Sequence, residues 1–121
     1  MNIIVTGASR GIGYEIVKLF AGNDNHQIIA ISRNKERLQK LVKDCHKINQ
    51  KAKIIPMAFD LQEILINSEI PEGIKAAMDH IDILINNAGS LTNKAFFDTG
   101  IAEATGMFKT NFFVPALLIK E

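Results

Sequence analysis

Two kinds of apolar pattern alternate along this chain. The first is a short unbroken run rich in β-branched residues, as in NIIVT at 2–6 and QIIAIS at 27–32. Runs of that length suit strands buried on both faces. The second is a spaced pattern: Ile12, Ile16, Leu19 and Phe20 recur at helical intervals after a glycine cluster, and Gly22 stands where a helix end is expected. Leu38, Leu41, Val42, Cys45 and Ile48 mark one face of a second helix with Asn34 as its N-cap. AKIIPMAFD at 52–60 predicts a third strand, and Pro56, which has no N–H to give a ladder, predicts that it lies at an edge. Residues 61–80 read as helix on either side of SEIPEG, Ser68 to Gly73, where Pro71 and Gly73 punctuate a loop. IDILINNAG at 81–89 predicts a fourth strand, and the stretch from about Gly100 to Glu121 reads as helix. Strands alternating with helices predict parallel βαβ units with right-handed crossovers, hence the α/β class with an open sheet covered on both faces.

Length and charge narrow the function classes. With 121 residues, the expectation is one domain over 1–121. A formal net charge of +1 without a basic run gives no footprint for nucleic acid or an anionic membrane. No apolar run is long enough to cross a bilayer, and MNIIVTGASR lacks the charged start and cleavage site of a signal peptide. A single cysteine excludes an internal disulfide and fits a reducing compartment, so a cytoplasmic location is expected. Cys45 lies on an apolar stripe and reads as core packing. His26, His46 and His80 lack metal-ligand spacing and read as surface histidines; no metal site is expected.

TGASRGIG, Thr6 to Gly13, sits between the first strand and the first helix, where a phosphate-binding turn belongs. Gly7 lets the chain turn sharply, and Gly11 and Gly13 remove side chains that would keep a pyrophosphate from the backbone N–H groups. The helix then aims its unsatisfied donors and partial positive charge at the ligand. The spacing G-x-x-x-G-x-G is neither the G-x-G-x-x-G fingerprint nor a Walker A loop, so a tight strand-to-helix turn without a ligand stays open. An acidic residue about 20 positions past such a loop would hold a ribose 2′-OH. The second strand ends instead in Ser32-Arg33, with no carboxylate, and an arginine there suits a 2′-phosphate. The sequence thus favours NADP(H) over NAD(H). Arg10 either adds to that site or is a solvated charge.

The same stretch contains Tyr14 and Lys18, a Tyr-x-x-x-Lys pair. At 100° per residue both leave the face opposite Ile12, Ile16 and Phe20, so they are expected to look toward solvent. A catalytic tyrosine must stand beside its substrate with its pKa lowered by a neighbouring cation. The pair reads as coincidental.

TGASRGIG after the first strand, Asp60 at the end of the third, NNAG at the end of the fourth and Asn111 in the following helix together resemble the short-chain dehydrogenase/reductase family, in register over essentially the whole chain. The resemblance implies a Rossmann-like doubly wound parallel sheet of about four strands in the order 3-2-1-4. It implies that the Ser9 to Ile12 backbone cradles the pyrophosphate. Asp60 with Leu61 would reach the adenine, Ser32 and Arg33 would accept the 2′-phosphate, and Asn86, Asn87, Ala88 and Gly89 would line the cleft. Read without the family, Asp60 is equally a strand-end turn residue, and Asn86 and Asn87 equally turn formers.

Asn111 resembles the family's active-site asparagine, whose main-chain carbonyl holds a water in a proton relay. Pro115, four residues on, cannot donate to that carbonyl, so the helix either frees it for a water or simply bends. The family's catalytic serine and Tyr-x-x-x-Lys would fall beyond Glu121. The expectation is therefore a truncated, cofactor-binding portion of an oxidoreductase that transfers hydride between NADP(H) and a carbonyl or alcohol. A non-catalytic NADP(H)-sensing module is the alternative. Strand four would be left as an apolar edge, which predicts self-association through that edge or through the family's homo-oligomer.

Overall fold

The computed structural model describes residues 1–67 and 71–120. Four strands, β1 (Asn2–Thr6), β2 (Gln27–Ser32), β3 (Lys53–Ala58) and β4 (Ile83–Ile85), form a parallel sheet in the order β3-β2-β1-β4. Ile3 lies beside Ile28 on one side and Ile83 on the other. Pro56 is on an edge strand, opposite Ala30, where its missing N–H faces no second neighbour. The expected strand order is the observed one.

Successive strand residues point to opposite faces, and both faces are covered. Ile3, Val5, Ile28 and Ala30 meet α1 (Gly11–Ala21) and α2 (Lys35–Ile48) through Val17, Ala21, Leu38, Leu41 and Cys45. Ile4, Ile29 and Ile31 meet α3 (Glu63–Asn67), α4 (Glu72–Ala77) and α6 (Val114–Lys120) through Ile64, Ile74, Val114 and Leu118. The unbroken apolar runs of the strands follow from this two-sided burial. Cys45 is fully buried, and burial pushes its thiol up to about 11, as suits a packing residue. Asn34 caps α2 by accepting from the Arg37 N–H at 2.9 Å.

Several boundaries differ from the sequence expectation. α1 docks through Gly13, Val17 and Ala21, and Ile12 and Leu19 are 74% and 78% exposed. Small residues at i, i+4 and i+8 let the helix approach the sheet, so the bulky ones flank the contact. The fourth strand is Ile83–Ile85, the end of the IDILI run that was expected to lead into NNAG, and Ser68 to Ile70 of the expected SEIPEG loop lie outside the described residues. The helix from Gly100 is three pieces: α5 (Ile101–Phe108), a π turn (Lys109–Phe113) and α6, with Glu121 outside the described residues. His46 and His80 are exposed, as expected, with ring nitrogens 3.1 Å from the Ala52 carbonyl and 3.6 Å from Asp82, whereas His26 is half-buried edge-on against Phe20. No helix among the described residues is long and apolar enough to cross a membrane.

Candidate cofactor cleft

The chain leaves β1 toward β2 on one side and reaches β4 on the other, so the sheet order reverses at β1. In open α/β sheets the carboxyl ends of the strands at such a reversal form a crevice. Its floor is built on Thr6, the one buried polar side chain among the described residues, at 1% exposure. The Thr6 hydroxyl accepts from the Asn87 and Ala88 N–H groups, both at 3.0 Å, and donates to the Ile85 carbonyl at 3.3 Å. Asn87 returns the contact: its Nδ2 donates to the Thr6 and Gly7 carbonyls, each at 3.2 Å. The glycine loop and the NNAG loop are thereby one hydrogen-bonded unit. Asn87 has a turn-forming role here as well as a place in the cleft.

The glycines divide their work differently from the sequence expectation. Gly7 has φ +67, and a Cβ on it would stand 2.8 Å from the Ala88 Cα. A Cβ on Gly13 would stand 2.5 Å from both the Gly7 carbonyl oxygen and Asn87 Nδ2. Gly13 therefore serves close packing of helix on loop, and ligand approach is left to Gly11, which has open space around it. Arg10, the N-cap of α1, is extended and makes no side-chain cap hydrogen bond. The first-turn N–H groups are thus free of a side-chain acceptor and face the crevice.

A cleft of about 550 Å³ opens there. Of the fourteen residues expected to bind the cofactor, it brings together twelve: Gly7, Ser9, Arg10, Gly11, Ile12, Ser32, Arg33, Asp60, Leu61, Asn87, Ala88 and Gly89. Gly13 is behind the loop. Asn86 and Asn111 border an adjoining pocket that shares Arg10, Arg33, Ala88, Gly89 and Ser90 with the cleft. Arg10 and Arg33 are exposed, and among the described residues neither has a carboxylate within ion-pair distance. Ser32 is half-buried and its Oγ accepts from the Asn34 N–H at 3.3 Å. Asp60 Oδ1 accepts from the Gln62 N–H at 3.0 Å, a strand-end turn that still leaves Oδ2 for the cleft. The Leu61 side chain is buried in the core.

The far wall was not anticipated. Glu103, Gly106, Met107 and Thr110 line it at i, i+3, i+4 and i+7, a helical spacing legible in the sequence once the helix is known to border a cleft. Glu103 accepts from Thr92 Oγ1 at 2.9 Å and pairs with Lys94 at 3.1 Å, and these two partners, Lys94 foremost, hold its carboxyl below the usual range. Asn111 clamps Ser90 in both directions: Oδ1 accepts from the Ser90 N–H and Nδ2 donates to the Ser90 carbonyl, both at 2.8 Å. The irregularity expected from Pro115 takes the form of the π turn that carries Asn111, a feature often found at functional positions.

Tyr14 does not face open solvent as its helical phase suggested. It is half-buried between α1 and α2, and its hydroxyl donates to Asp44 Oδ2 at 2.5 Å while Lys40 approaches at 3.3 Å. The real docking face of α1 runs along Gly13, Val17 and Ala21, which rotates Tyr14 toward α2. Burial, and then Asp44, raise its pKa, the opposite of what a catalytic tyrosine needs. Lys18 pairs with Glu15 at 2.9 Å. Neither residue lines the cleft.

The family model described as short chain dehydrogenase matches residues 1–121. This chain belongs to the short-chain dehydrogenase family. It is 30% identical over 122 residues to dehydrogenase/reductase SDR family member 7B of Xenopus laevis, covering 98% of this chain and 38% of that protein. It is 33% identical over 116 residues to a probable NADP-dependent dehydrogenase of Dichelobacter nodosus, covering 92% of this chain and 100% of that sequence. A metagenomic short-chain oxidoreductase solved in complex with NADP superposes with a TM-score of 0.84 at 27% identity, over 99% of this chain and 53% of that one. This short-chain dehydrogenase chain spans less than two fifths of the Xenopus relative's length.

Proposed function

We propose that this chain is the NADP(H)-binding part of a short-chain dehydrogenase/reductase, a single unit over 1–121, whose intact form moves hydride between NADP(H) and a carbonyl or alcohol. The observation that carries the choice of NADP(H) is Arg33. It lies at the end of β2, where NAD-type sites keep a carboxylate, and its guanidinium borders the cleft beside Arg10 without an acidic partner among the described residues. The open N-terminal donors of α1 suit a pyrophosphate, and the free space at Gly11 lets one approach. Bound there, NADPH supplies the hydride. Ser9 to Ile12 hold the phosphates by their backbone, Ser32 and Arg33 the 2′-phosphate, Asp60 and Leu61 the base, and Asn86 to Gly89 the inner wall. Asn111 serves the family's proton relay through its main-chain carbonyl.

A non-catalytic NADP(H)-sensing module is the second reading. It rests on the same cleft, to which Tyr14, its hydroxyl held by Asp44 between α1 and α2, contributes nothing. Self-association, through the outer edge of β4 or as the family's homo-oligomer, and a cytoplasmic location complete the proposal.

The test is cofactor selectivity. Arg33→Ala is expected to weaken NADPH binding roughly 10- to 100-fold, the scale of one charge-assisted hydrogen bond, and to leave NADH affinity unchanged. Equal losses for both nucleotides in a fluorescence titration would remove Arg33 as the 2′-phosphate partner.

A further inference from the structure

None of the residues of α5 or of the π turn is buried, and the first buried side chain after them is Val114. Their position rests on polar contacts. Three lead to the loop after β4: the Thr92 and Lys94 contacts to Glu103, the Thr92 N–H on the Met107 sulfur at 3.3 Å, and the Asn111 clamp on Ser90. The other leads to the loop after β3, where Gln62 Nε2 donates to Thr110 Oγ1 at 2.8 Å. Gln62 is itself held, because its N–H is bonded to Asp60 Oδ1. Thr110 and Asn111 are consecutive residues of the π turn, yet one reaches the β3 side of the cleft and the other the β4 side. Adjacent side chains diverge around a helix, so fixing one fixes the direction of the next.

We propose that the Gln62–Thr110 hydrogen bond sets the rotation of the π turn and thereby holds Asn111 on Ser90. Gln62 and Thr110 are then positioning residues for the cleft, acting through Asn111. The significance for NADP(H) rests on the cofactor reading above. One turn of helix ties the end of the cleft at Asp60 to the end at Ser90, and a change at the first is felt at the second.

The test is NMR-detected hydrogen exchange of the Ser90 amide in the unliganded chain, with amides of β2 as the reference for global opening. Thr110→Val removes the hydroxyl at nearly constant volume, and Thr110→Ser keeps it. Gln62→Met breaks the bond from the other side. Ser90 exchange is expected to rise about tenfold relative to the β2 amides in Thr110→Val and Gln62→Met, the scale of one lost hydrogen bond, and to stay near wild type in Thr110→Ser. Unchanged Ser90 exchange in both disrupting variants overturns the proposal, as does a Thr110→Ser chain that exchanges as fast as Thr110→Val. The readout needs no nucleotide. A wild-type chain that binds no NADPH would refute the cofactor reading and leave this result standing.

Discussion

Replacing Gly7 with alanine is expected to destabilise the chain by about 2–5 kcal/mol, combining the strain of a left-handed backbone with the cost of overpacking. Both parts come from the same residue. Gly7 has φ +67, and the added methyl would stand 2.8 Å from the Ala88 Cα and 2.9 Å from its N, backbone atoms that cannot rotate away. The loop would separate from the NNAG segment, and the floor of the cleft would open. Gly11→Ala is the control, since Gly11 has φ +57 but no neighbouring atom within 4 Å of its Cβ position. It should cost only about 1–2 kcal/mol. Urea unfolding of the two variants checks this, and equal midpoints would show that contact with Ala88 contributes nothing.

The second large effect is expected at Thr6. Thr6→Val keeps the shape but removes the hydroxyl, and among the described residues the Ala88 N–H then has no acceptor. The Asn87 N–H retains the Ile85 carbonyl at 3.1 Å, so one donor is stranded rather than two. A stranded buried N–H costs about 1–3 kcal/mol. Thr6→Ser keeps all three hydrogen bonds and loses a methyl group, about 0.8 kcal/mol. Thermal unfolding should therefore rank wild type, serine and valine in falling order. A valine variant as stable as the serine one would mean that the hydroxyl does not join the two loops.

Most of the sheet was legible because its central strands, β1 and β2, are buried on both faces and leave unbroken apolar runs. Pro56 alone located an edge. Helix faces were less legible. On α1 the bulky residues showed only part of the docking face: Ile16 and Phe20 pack against the core, but Ile12 and Leu19 are exposed, and the fully buried line is Gly13, Val17 and Ala21, two of them too small to stand out in a pattern of hydrophobicity. The error rotated Tyr14 outward and hid its bond to Asp44. The near wall of the cleft was legible because glycine spacing, Ser32-Arg33, Asp60 and NNAG each fall at the carboxyl end of a strand. The far wall was not, because Gln62, Glu103, Met107 and Thr110 are ordinary helix and loop residues whose place depends on how the segment after β4 crosses back. Their meaning is tertiary.

The central claim is that this chain binds NADP(H) at the glycine loop, and thermal unfolding of the purified chain with excess NADPH or NADH tests it most directly. A ligand at 100 times its dissociation constant adds about 2.7 kcal/mol to the folded state. The expected result is a clear rise in melting temperature with NADPH and a smaller one with NADH at the same concentration. A cooperative melt that neither nucleotide moves would contradict the claim.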